Sequence, residues 1–116
     1  MRYYLAGPMT GLPDFNYRVF EAEQKKLRSQ GLDVVSPHSI DFGETEEKPG
    51  SLPYQTYIKG GLKLLLTCDA IILMVGWENS KGCLTELTVA SACGMMILFY
   101  NPVTGILSTN AGRINE

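Results

Sequence analysis

Glu86 closes the segment C-D-A-I-I-L-M-V-G-W-E-N-S-K-G-C-L-T-E, residues 68–86, in which an apolar run, a polar loop and a helix opening follow one another. A helix beginning near Gly82 places Glu86 in its first turn or just beyond. Side chains there lean toward the helix N-terminus, so the carboxylate points toward the loops. The positive end of the helix dipole favours its ionised form. An ionised, positioned carboxylate can attack an electrophilic carbon, such as the anomeric carbon of a sugar, and form a covalent glycosyl intermediate. The plain alternative is a helix-favouring acid on a solvated surface.

The residues around Glu86 allow a similar choice. Ser80 is a suitable N-cap, and Gly82 lets the backbone approach a ligand. Free N–H groups at this helix end could hold a phosphate or a sugar hydroxyl; an ordinary capped turn uses the same residues. Gly7-Pro8-Met9-Thr10-Gly11 is another candidate ligand loop, but it is neither G-x-G-x-x-G nor a P-loop. Trp77, directly after a strand, could stack on a base, wall a pocket or cover the sheet edge. Tyr4, near the end of the first strand, suits a core position as well as a site. His38 is the only histidine. Without a second His or Cys at ligand spacing no metal site is expected, and no Ser-His-Asp arrangement can be built on it. Gly60-Gly61 costs a helix about 1 kcal/mol per residue relative to Ala. The pair implies close packing, a break or a nearby ligand, unless the helix begins only at Leu62.

The elements that must position these residues follow from periodicity and punctuation. Tyr3–Ala6 reads as a strand ended by Gly7-Pro8. Asp14 is the expected N-cap of a helix over Phe15–Gln30, with Phe15, Val19, Ala22 and Leu27 on one face and Gly31 as its stop. Leu32–Ser36 is a second strand, and residues 37–52 form a long loop of the kind that is often functional. Pro53 can open a second helix over Tyr54–Thr67. Asp69–Val75 has the continuous apolar character of a parallel strand covered on both faces. A third helix spans Gly82–Cys93, closed by Gly94, and Met95–Tyr100 is a fourth strand. Residues 103–116 suit an edge element, a subunit contact or a frayed end.

This alternation predicts a single α/β domain over residues 1–116, a flavodoxin-like three-layer sandwich with a parallel sheet of four to five strands in the order 2-1-3-4. The switch point lies between the first and third strands, where the loops Gly7–Asp14 and Gly76–Lys81 meet and where ligands of such sheets bind.

Composition narrows the partners. The 116 residues are 45% hydrophobic and 19% charged with a formal net charge of -2, so no basic face recommends duplex nucleic acid. Small nucleotides stay possible, because backbone donors alone can bind phosphate. The longest apolar runs, Ala70–Val75 and Met95–Tyr100, fall well short of the roughly 20 residues needed to cross a bilayer. Residues Met1–Gly7 are too short for a signal-peptide core. Cys68, Cys83 and Cys93 form no C-x-x-C pair, which fits reduced thiols and a cytoplasmic location.

Taken together, Y-L-A-G-P at 4–8, the polar turn leading to Asn16 and Phe20, and C-D-A-I-I-L-M-V-G-W-E-N-S-K-G-x-x-x-E at 68–86 resemble the nucleoside 2-deoxyribosyltransferase-like superfamily, nearest to a small branch common in bacteriophage genomes. The resemblance covers about residues 3–100. It implies cleavage or exchange of the N-glycosidic bond of 2-deoxyribonucleosides or their 5′-monophosphates, without a cofactor, in a (host) cytoplasm. By the same resemblance Glu86 matches the nucleophile, Tyr4 the tyrosine that orients it, and Ser80 a phosphate-binding serine. Gly7, Pro8, Met9 and Thr10 match the loop that wraps the sugar and its 5′ group. Asn16 and Trp77 match motif positions, and Asn79 and Gly82 fall in the same binding loop. Homo-oligomers whose pockets are completed by a neighbour are also implied. One position departs from the pattern. The aspartate usual eight residues before Asp69, which serves the leaving base, is Gly61 here. Two functions follow: an enzyme of N-glycosidic bonds, or a protein that binds and sequesters a nucleotide or ADP-ribose-like signal. A subunit-contact module without a ligand is the third option.

Overall fold

Four parallel strands, β1 (Arg2–Ala6), β2 (Asp33–Val35), β3 (Ala70–Leu73) and β4 (Met96–Asn101), and an antiparallel edge strand, β5 (Ile106–Ser108), form one sheet in the order β2-β1-β3-β4-β5. The computed structural model describes residues 1–109, the side chain of Glu44 apart. Helices α1 (Tyr17–Ser29), α2 (Tyr54–Leu65) and α3 (Lys81–Ala92) connect the strands. This is the expected flavodoxin-like order with one strand added. Part of the 103–116 tail is thus an edge element; residues 110–116 lie outside the described residues.

The two-residue period of the strands divides the core between two faces. Leu5, Ala70, Ile72, Leu98 and Tyr100 pack with Phe20 and Leu27 of α1. Tyr4, Ala6, Ile71 and Leu73 pack with Leu65 of α2 and with Cys83 and Ala90 of α3. Strand β3 is buried along its whole length, as its unbroken apolar run requires. Each fully buried Leu or Ile contributes about 1.5–3 kcal/mol. Helices α2 and α3 therefore share a face of the sheet, and Tyr4 lies beneath them.

The start of the first helix differs from expectation. Asp14 is not an N-cap and Phe15 is not helical: Asp14, Phe15 and Asn16 have left-handed backbones, with φ of 50°, 56° and 61°. Such a conformation costs about 1–2 kcal/mol per residue. It is stabilised by the Asn16 side-chain amide, which donates to the Pro8 carbonyl at 2.8 Å, and by the Phe15 ring, whose centroid lies 4.6 Å from that of Tyr57. Helix α1 begins at Tyr17 and buries Phe20, Gln24 and Leu27, while Val19 and Ala22 are exposed. Gln24 disguises that face, because a polar residue occupies a core position by donating to the Val34 carbonyl at 3.0 Å.

Helix α2 runs through Gly60-Gly61 unbroken, so the alternative start at Leu62 is not adopted, and Pro53 stands one residue ahead of it. Residues 37–52 form the expected long connection, with 3₁₀ turns at Pro37–Ser39 and Gly43–Thr45.

Candidate active site

Ala6 pairs with Leu73 at the carboxyl ends of β1 and β3, and the loops that follow diverge around a cavity of about 660 Å³. That volume suits a small-molecule ligand. The cavity opens at the switch point between β1 and β3, where the alternation of elements placed it.

Glu86 is on its floor. It is the sixth residue of α3, projected inward and 7% exposed. Its Oε2 accepts a hydrogen bond from the Tyr4 hydroxyl, itself wholly buried on β1. Oε1 has no hydrogen-bond partner, and no buried side-chain oxygen lacks one among the described residues, so Oε1 is the atom open to the cavity. Burial pushes the carboxyl up from its ordinary 4.5 to about 7, opposed by the bond from Tyr4. Desolvation thus outweighs the helix dipole, whose effect fades within the first turn. Tyr4, raised well above its normal range by burial and then by the Glu86 charge, keeps its proton and donates it.

Gly61 explains how the pair fits. A Cβ at this position would lie 2.8 Å from Glu86 Oε2 and 2.9 Å from the Tyr4 oxygen. The helix-weakening glycine therefore exists because α2 passes directly over the Tyr4–Glu86 pair. Of the readings open for Gly60-Gly61, close packing is the one observed. Gly60 is covered instead by Phe42, whose ring would be 3.0 Å from an added Cβ.

The cavity has two unlike ends. Thr10 lines the cavity from the loop after β1, and Asn79, Ser80, Lys81 and Gly82 make a polar end at the start of α3. There the Ser80 hydroxyl accepts from the Cys83 amide at 3.2 Å, the expected N-cap, and the Lys81 ammonium lies 5.4 Å from the centre of the Tyr54 ring. Phe15, Ile40, Phe42, Tyr57 and Ile58 make an aromatic end. The long 37–52 connection is fixed over it: Glu46 accepts from Tyr57 at 2.5 Å and from Tyr17 at 3.3 Å, and Gly50 lies against the Phe15 ring. Burial, followed by the neighbouring Glu46 charge, raises the Tyr17 phenol above its ordinary value, so it donates rather than accepts.

Of the residues nominated from sequence, Gly7, Pro8, Met9, Thr10, Asn79, Ser80, Gly82 and Glu86 line this cavity. Tyr4 supports Glu86 from below, and Asn16 acts at one remove by holding the Pro8 carbonyl. Trp77 is elsewhere. Its ring packs 5.7 Å from that of Phe99 and lines a separate groove beside β4 and β5, so it covers the sheet edge rather than the ligand cavity. Phe15, Phe42, Tyr54 and Tyr57 were not nominated. For Phe42, Tyr54 and Tyr57 the available signal was their position within or just after a loop too long for a simple connection; Phe15 carried none.

Residues 1–99 match the family described as a domain of unknown function, DUF4406. The chain belongs to that family. No curated protein matches it. Among solved structures it is similar to a 2-desoxiribosyltransferase from Leishmania mexicana, with a TM-score of 0.60 and 20% sequence identity over 85% of this chain. The match spans 63% of the length of that protein. This DUF4406 chain thus shares its fold with that transferase.

Proposed function

We propose that this protein cleaves or transfers the N-glycosidic bond of a (deoxy)nucleoside or nucleoside 5′-monophosphate, with Glu86 as nucleophile. The observation that carries the reading is the Glu86 carboxyl, buried at the switch point, held through Oε2 by Tyr4 and open to the cavity through Oε1. In the reaction Oε1 bonds to C1′ while the C1′–N electron pair leaves with the base. Water or a second base then displaces the carboxylate from the sugar. The polar end beside Ser80 and Gly82 suits the sugar hydroxyls or a 5′ phosphate, because it lies at the start of α3, where a helix end favours an anion. The likeness in fold to a 2-desoxiribosyltransferase supports the same reading.

The test is incubation with deoxynucleosides and their 5′-monophosphates, reading free base by chromatography and the intact protein by mass spectrometry. Base release together with a sugar adduct, both abolished by Glu86→Gln, supports the reaction. Tight binding of unchanged ligand, indifferent to Glu86→Gln, supports sequestration of a nucleotide or ADP-ribose-like signal instead.

A further inference from the structure

Cleaving a C1′–N bond sends an electron pair onto the base nitrogen. A neutral base receiving that pair departs as an anion unless an acid protonates it, a contribution of about 10²–10⁴-fold. Among the described residues, the ionisable side chains lining the cavity are Tyr54, Tyr57, Lys81, Cys83 and Glu86. With Glu86 engaged at C1′, none of the other four is placed as an acid for the base. The Tyr57 proton is given to Glu46. Burial pushes the Cys83 thiol up to about 12. Tyr54 and Lys81 stand together at the polar end, the Tyr54 hydroxyl 3.8 Å from where a Gly82 Cβ would be. His38 is outside the cavity, its Nδ1 2.6 Å from Ser36 Oγ and its ring stacked on Phe20. At Gly61, on α2 against the carboxyl, even one added carbon meets Glu86 and Tyr4.

We infer that the substrate is an N-glycoside whose base already carries a positive charge on its ring, such as a pyridinium or an N7-alkylated purine. This rests on the glycosidic reading above and names its substrate class. For such a base the step balances without an acid. Glu86 Oε1 forms the bond to C1′, the C1′–N pair cancels the ring charge, and a neutral base departs. Water then replaces the carboxylate on C1′ and releases one proton to solvent. The aromatic end fits the same ligand, since aromatic rings attract a cationic ring and Phe15, Phe42 and Tyr57 all line it. The three cluster there, with centroids 4.6 Å and 5.2 Å apart for the two pairs formed with Tyr57. The ionised Glu86 supplies the opposite charge on the floor.

The experiment compares the full chain with its Glu86→Gln variant on nicotinamide riboside, nicotinamide mononucleotide and N7-methylguanosine, and in parallel on thymidine, 2′-deoxyadenosine and their 5′-monophosphates. Rates are taken relative to the variant, which removes the intrinsic lability of the cationic compounds. The expected result is base release at least about 10²-fold above the variant for the cationic set and less than about 10-fold for the neutral set. For nicotinamide riboside and nicotinamide mononucleotide, whose rings keep their charge at every pH, the rate should also rise with pH as Glu86 ionises and show no alkaline fall, because no acid has to keep its proton. Among the described residues the titratable groups interacting with Glu86 are Tyr4 from β1 and Cys83 from α3; α2 brings Gly61 against the carboxyl and Tyr54 and Tyr57 to the same cavity. Equal or greater acceleration of the neutral set, or a falling alkaline limb, overturns the inference and leaves the glycosidic reading standing. Release from neither set removes both.

Discussion

Gly61→Ala is a one-carbon perturbation aimed at the contact on which the site depends. The new Cβ would lie 2.8 Å from Glu86 Oε2 and 2.9 Å from the Tyr4 oxygen, well inside normal carbon–oxygen contact. Neither oxygen can retreat easily, since Tyr4 is wholly buried and Glu86 nearly so. Overpacking of this kind costs about 1–3 kcal/mol. Replacing a mid-helix glycine by alanine returns about 1 kcal/mol. The net loss is about 0–2 kcal/mol, a fall in Tm of up to about 10 °C that leaves the protein folded at 25 °C. Activity should suffer far more, because moving a reacting group by about 1 Å can cost 10²-fold. The assay pairs thermal unfolding with initial rates of base release. Gly60→Ala is the control: its Cβ meets only the outer ring atoms of the Phe42 side chain and neither member of the Tyr4–Glu86 pair, so the rate should change far less than in Gly61→Ala. A Gly61→Ala protein that gains about 1 kcal/mol and retains the wild-type rate would refute the idea that α2 braces the Tyr4–Glu86 pair.

Three further predictions concern the same groups. Because burial raises Glu86 from 4.5 to about 7, the folded state holds a proton that the unfolded chain loses between those values, and stability falls as pH rises through that window. The loss approaches about 3 kcal/mol and should be missing from Glu86→Gln; urea unfolding from pH 4 to pH 8 checks this, and parallel profiles for the two proteins count against it. Tyr4→Phe removes the bond that favours the carboxylate, so the ascending limb of the rate profile should move to higher pH and kcat at pH 7 should fall about 10-fold. An unmoved limb would show that the bond does not tune Glu86. Ser80→Ala removes the N-cap to Cys83 and should cost about 1 kcal/mol in chemical denaturation. If the hydroxyl also holds substrate, KM rises for 5′-monophosphates more than for nucleosides; an equal rise for both removes Ser80 from phosphate binding.

The order of strands and helices was legible in the chain because each element has its own local signal. The apolar run Ala70–Leu73 demands cover on both faces, Gly-Pro ends β1, and Ser80 opens α3 with the cap later observed. The cavity at the switch point followed from that order alone, and with it the nomination of Glu86. The left-handed turn at Asp14–Asn16 was not legible, since its strain is offset by the Pro8 carbonyl, across the preceding loop, and by Tyr57, distant in sequence. Nor was the displacement of Trp77 onto Phe99, or the aromatic wall gathered from α2 and the 37–52 connection. Only the assembled fold decided the protonation of Glu86. A helix start favours a charged carboxylate, but burial under α2 withdraws the water that would stabilise that charge, and desolvation is a property of the packed structure rather than of any local sequence. Gly61 shows both levels at once: the chain reveals an awkward glycine in a helix, and the tertiary contact with Tyr4 and Glu86 supplies its reason.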